Sequence, residues 1–140
     1  MPTAAPLPTL LKNAAGQVLI DPAGFLRLNW SGSARSLVDT QAMFTTAAQA
    51  LSKFGLSRIL INQVHMLPFT SQEQLWISQE WLPAAVHQSG YRAGAVLVAT
   101  NVLTRLATAF VTASNPNLPL RYRSFDLEAL AIEWLLSQPV

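Results

Sequence analysis

The side chains that could do chemistry are few and scattered. His65 and His87 are the only histidines, and the seven carboxylates do not cluster with either. Zinc or iron needs three or four ligands held together, and a chain without cysteine has no thiolate to contribute. The residues predict no metal site, and both histidines are expected at the surface, His65 in a loop and His87 near a helix end. Nucleophilic catalysis would need an activated hydroxyl on a sharp turn, and no Gly-x-Ser-x-Gly occurs. A general acid–base pair would need two facing carboxylates. Glu73 and Glu80 share one expected helix, two turns apart, and both are expected to face solvent. Gly90 and Gly94 do not make a G-x-G-x-x-G phosphate loop. These readings predict no catalytic residue, no cofactor and no enzyme activity.

Three weaker groupings remain. Thr70 and Ser71 open a helix, where free N–H groups and the dipole favour a phosphate, so either could be a phospho-acceptor; plain capping is the alternative. Arg92, Arg105, Arg121 and Arg123 lie in a stretch, Trp81 to Phe125, that holds no acidic residue. Arg121 and Arg123 are two apart on one expected strand and so share a face. With Asn62 and His65 they form a candidate surface for an anion or an acidic partner, against ordinary solvated arginines as the alternative. Trp76, Trp81 and Phe110 could line a pocket for a small apolar ligand, or simply pack in a core or dimer interface.

The elements that must position these groups follow from composition and periodicity. The 140 residues fit one domain, with enough chain to bury roughly two-thirds of its extended surface. A net charge of +2 is not the footprint of a nucleic-acid binder. Apolar residues make up 51% and charged ones 11%. Yet no window approaches the roughly 20 apolar residues a membrane span needs. The apolar excess is expected in a buried interior, with some left over for a partner or a second copy. The absence of cysteine is compatible with a cytoplasmic location. Residues 1–16, with Pro2, Pro6 and Pro8 and no signal-peptide layout, are expected to be a loosely ordered lead-in to a domain over residues 17–140.

Two apolar, strand-length runs, Gln17 to Asp21 and Phe25 to Trp30, the second alternating, flank the turn signal Asp21-Pro22-Ala23-Gly24 and predict an antiparallel hairpin. Ser33 is the expected cap of a helix running to Phe54, which Gly55 ends. Arg58 to Asn62 and Ala93 to Ala99 are short continuous apolar runs, the mark of strands covered on both faces. Thr70-Ser71-Gln72-Glu73 is a capping box for a helix towards His87, which Pro83 should kink or divide. Thr100 or Asn101 caps a helix to about Ala113. Leu120 to Ser124 reads as a strand nearer the sheet edge. Asp126 is the expected cap of a last helix, with Phe125 and Leu130 as its hydrophobic staple. The order β-β-α-β-α-β-α-β-α predicts an α/β fold with a mixed, mostly parallel sheet.

That order, from Gln17 to Gln138, resembles the STAS domain, the fold of bacterial anti-sigma-factor antagonists. More narrowly, the chain looks like bacterial STAS/SEC14-like proteins. The resemblance rests on Trp30-Ser31-Gly32 and on the strand Ile59-Leu60-Ile61-Asn62-Gln63. It rests further on Pro68-Phe69-Thr70 with Trp76 and Glu80-Trp81-Leu82-Pro83, and on Tyr122-Arg123-Ser124-Phe125 with Ala131 and Trp134-Leu135. The resemblance implies a non-catalytic signalling module that works by protein–protein contact, presenting the loop from Asn62 to Ser71 and the helix after it. The family's phosphorylated Ser maps to Thr70 or Ser71; Asn62 stands near its usual Asp, and the loop between is longer than the family's. The SEC14-like side implies instead a carrier of a small apolar ligand.

Overall fold

The structure, a computed structural model, describes residues 7–139. Its first strand, β1 (Thr9–Asn13), runs antiparallel to β2 (Gly16–Asp21). The loosely ordered lead-in expected through residue 16 is therefore corrected from Thr9 onward, while residues 1–6 lie outside the described residues. The reversal is local chemistry: the Asn13 side chain accepts from the Ala15 N–H at 2.8 Å. Gly16 has φ +149°, and a Cβ there would fall 1.9 Å from the Asn29 carbonyl oxygen.

β2 pairs antiparallel with β3 (Phe25–Trp30), in the register Val18↔Leu28. From β3 on, the strands β4 (Arg58–Asn62), β5 (Ala93–Leu97) and β6 (Arg121–Phe125) pair parallel, each beside its predecessor. The result is a six-stranded mixed sheet in the order β1-β2-β3-β4-β5-β6. The expected class, α/β with an antiparallel N-terminal hairpin and a parallel remainder, is what the chain adopts.

Alternation along the strands divides the interior in two. Leu26, Leu28, Trp30, Ile59, Ile61 and Val96 face one side. Helix α1 (Leu37–Phe54) covers them, together with the segment of α2 (Ser71–Trp76), a π-helical turn (Ile77–Trp81) and α3 (Leu82–Ser89), and with α4 (Val102–Ala113). Phe25, Leu60, Ala93, Ala95 and Leu97 face the other side, where Ala131 and Leu135 of α5 (Glu128–Ser137) meet them.

The caps follow local chemistry, with two departures. α1 is capped by Ser36, not Ser33, because Asp39 three residues on completes a reciprocal box with Ser36. α5 begins after Leu127 with no side-chain cap, so Asp126 does not serve, and Leu130 is exposed rather than stapled to Phe125. Thr70 and Asn101 cap as expected, and Gly55, at φ +63°, ends α1.

Pro83 divides its helix as its chemistry requires. The π turn comes just before it, and the Leu82 N–H bonds the Ile77 carbonyl five residues back. This spacing moves the chain away from the clash a proline ring makes with the carbonyl four residues back. The Ser78 carbonyl, which loses its helical donor, accepts instead from Asn115 Nδ2 at 2.8 Å.

Two tyrosines close the sheet at β5 and β6. Their hydroxyls lie 3.2 Å apart and their rings meet edge to face. Burial, and then the neighbouring Tyr122, push the Tyr91 hydroxyl well above its usual range; burial also pushes Tyr122 up to about 12. Gly94 makes this pairing possible, since a Cβ there would sit 2.4 Å from both the Tyr122 ring and the Tyr91 oxygen. Gly94→Ala should therefore overpack the site and destabilise the fold by about 1–3 kcal/mol. Urea unfolding at neutral pH measures it, and an unchanged midpoint would show that the tyrosines shift freely.

Candidate functional site

The loop between β4 and α2 is fastened from both sides. The Arg35 guanidinium, 5% exposed, meets the Glu73 carboxylate, 3% exposed, with Nε at 2.9 Å from Oε2 and Nη2 at 3.1 Å from Oε1. Arg35 also donates to the carbonyls of Leu67 and Pro68, both at 3.2 Å, and stacks on the rings of Trp30 and Phe69. Thr40 of α1 donates its hydroxyl to Glu73 as well. The Thr70 N–H donates to Glu73 Oε1 at 2.8 Å, while Thr70 Oγ1 accepts from the Glu73 N–H at 3.1 Å. On the far side, Thr104 of α4 donates to the Met66 carbonyl at 2.7 Å, and Thr100 donates from both backbone and side chain to Val64.

Glu73 was expected in solvent; it is a buried anchor. Its capping-box role was legible, but the partner that draws it inside, Arg35, lies 38 residues away. Burial alone would raise its pKa. Hydrogen bonds from Arg35, then from Thr40 and the Thr70 N–H, outweigh burial and hold the carboxyl below its ordinary range.

The residues expected at this loop take separate roles. Thr70 spends its hydroxyl on the cap, and a phosphate there would stand against the Glu73 carboxylate, whose Arg35 is already engaged. Ser71, the first residue of α2, is exposed. Asn62 is half-buried and accepts from the Val64 N–H at 3.1 Å, shaping the chain as it leaves β4. His65 is exposed at the loop tip; Gly32 approaches its backbone so closely that a Cβ would lie 2.9 Å from the His65 carbonyl oxygen. His87 is exposed in the last turn of α3.

The aromatic pocket is corrected. Trp81 is buried, its ring 4.6 Å from Phe44 and its N–H donating to the Phe44 carbonyl at 2.7 Å. Trp76 is half-buried against the same phenylalanine. Phe110 is on the outer side of α4, 56% exposed. The three share no cavity, because helical spacing sends Phe110 away from the sheet. The space left among Trp30, Phe44 and Phe69 is a chamber of only about 30 Å³.

The arginine cluster is also divided. Arg92 donates to the carbonyls of Val86 and Tyr91 and, with Arg121, borders an open depression beside Leu118, Pro119 and Gln138. Arg121 reaches the Gln138 side chain at 3.2 Å, and Arg123 lies over the Phe125 ring. Arg105, which borders a separate groove with Arg123, belongs to α4. Sequence reasoning missed what lies beside it: Val102, Leu103, Leu106 and Phe110 form an exposed apolar stripe along α4. The signal was present, since α4 carries apolar residues at more positions than one buried face can use.

Among the described residues, no three His, Asp or Glu side chains converge, and no helix is long and apolar enough to cross a membrane. No family model, curated protein or solved structure matches the chain.

Removing one partner of a buried ion pair leaves the other uncompensated, so Glu73→Gln should cost about 3–5 kcal/mol at pH 7. Because the folded carboxyl titrates below its unfolded value, its stabilisation is complete above that unfolded value, near 4.5, and fades as pH falls through the lowered folded one. The deficit of the variant should therefore shrink towards pH 3. Denaturant unfolding across that range tests this, and a deficit independent of pH would contradict it.

Proposed function

We propose that the chain is a non-catalytic, STAS-like module of the cytoplasm that regulates or signals by binding another protein. What supports the STAS-like reading is the order of elements from β2 onward and the motifs along them. The observation that carries the functional reading is the stripe on α4, where Val102, Leu103, Leu106 and Phe110 are each more than half exposed. Leu67 in the fastened loop and Leu75 on the neighbouring α2 are exposed as well. The loop, α2 and α4 hold one another through Thr100, Thr104 and Arg35, so this surface is presented in one fixed form, at little ordering cost on binding.

Charge selects the occupant. Of the four arginines in the acid-free stretch from Trp81 to Phe125, Arg105 stands on α4 itself, and the helix carries no acidic residue. The fitting partner is a protein segment that brings carboxylates alongside apolar side chains. A second copy brings no carboxylate on its own α4, which carries Arg105 and no acidic residue, so it fits less well.

The test places a photo-crosslinking residue at position 106 in cells, identifies the trapped segment, and measures its binding to the purified chain. The expected segment is acidic and apolar, and Leu106→Asp with Phe110→Asp should weaken it at least about tenfold without lowering thermal stability. A partner that binds this double variant at full strength, or a segment that is the chain's own, would overturn the reading.

A further inference from the structure

Helix α4 does not lie flat on the sheet. It packs on α2 and the π turn, and between it and the outer strands β5 and β6 a groove of about 240 Å³ opens. Val96, Val98, Ala109 and Tyr122 give the groove apolar walls. Gln63, Val96, Thr108, Thr112 and Tyr122 line both this groove and the 30 Å³ chamber beneath it, so the two are neighbours. The place is one the topology favours. The connection leaving β5 goes to the α4 face and that leaving β6 to the α5 face, so the chain parts at the carboxyl ends of adjacent parallel strands.

Polar groups at this site are left wanting partners. Gln63 is 3% exposed. Its backbone N–H donates to Leu97 and its Oε1 accepts from Thr108 at 2.9 Å, but the other end of the amide has no partner among the described residues. The Trp30 indole N–H, on the chamber wall, is likewise buried without an acceptor. The Gln63 amide donor opens on the groove, where an acceptor from outside the chain is its natural complement. Arg105, exposed on α4, forms no ion pair among the described residues. It lies three residues before Thr108, on the same face, one turn from the hydroxyl that holds Gln63. A cation, a hydroxyl and a free amide donor thus border the groove, with Arg123 and Ser124 of β6 on its other wall.

We propose that this groove binds a small amphipathic monocarboxylate. The carboxylate pairs with Arg105 and accepts from Gln63, and the apolar body lies along Val96, Val98 and Ala109 towards Tyr122. The site is separate from the partner-binding stripe, which occupies the outer side of α4, and does not depend on it.

The test uses the full chain, isotopically labelled, titrated with octanoate and in parallel with octan-1-ol. Octanoate should produce saturable shifts at the Gln63 side-chain amide, Thr108 and Tyr122, and the alcohol should bind at least about tenfold more weakly. Arg105→Ala, at an exposed position that leaves the fold intact, and Gln63→Leu should each weaken octanoate about fivefold or more. Shifts that do not saturate, that map instead to Leu106 and Phe110, or that persist unchanged in Arg105→Ala would overturn the proposal. So would equal binding of the alcohol. Failure here would leave the crosslinking result at position 106 untouched, so the two readings stand or fall separately.

Discussion

The ion pair between Arg35 and Glu73 joins the end of β3, the loop after β4, α1 and α2. Arg35 follows β3, and Glu73 sits in the first turn of α2. Through Thr40 the pair reaches α1, and through the carbonyls of Leu67 and Pro68 it draws the loop after β4 against the end of β3. In the low dielectric between Trp30 and Phe69, neither charge could remain without the other. The constraint runs outward from there. A fixed loop gives Thr104 a carbonyl to bind, and so sets where α4 begins.

The placement of α4 then decides which surfaces the molecule offers. α1 and the α2–α3 segment fill the space above the central strands, with Trp81 wedged against Phe44. Little room remains there, and α4 leans on α2 and the π turn instead of closing over β5 and β6. One consequence is an apolar stripe turned outward. Another is a groove on the inner side, with Gln63 at its base. The proposed partner surface and the proposed ligand groove are both products of how that helix is held.

Much of the architecture was legible because its signals are local. The alternation of Phe25 to Trp30 set the two faces of β3 correctly, and the continuous runs at Ile59 and Ala93 marked strands covered on both sides. The capping box at Thr70 and the division at Pro83 depend only on residues within a turn or two. β1 was hidden because its neighbouring prolines spoke for disorder, while its pairing depends on a turn at Asn13 whose value lies in contacts with β2.

The apolar runs and the turn signals between them determined by themselves that this chain builds a mixed sheet, since side-chain period and turn chemistry act at short range. The same residues could not declare which charges end up together. Glu73 went inside because Arg35 was waiting there, 38 residues away in the chain. Arg92 and Arg121 came to border one depression, and Arg105 and Arg123 another, between α4 and the outer strands. Phe110 was turned to solvent and Trp81 to the core. Those outcomes are matters of packing between distant segments, and only the tertiary structure decides them.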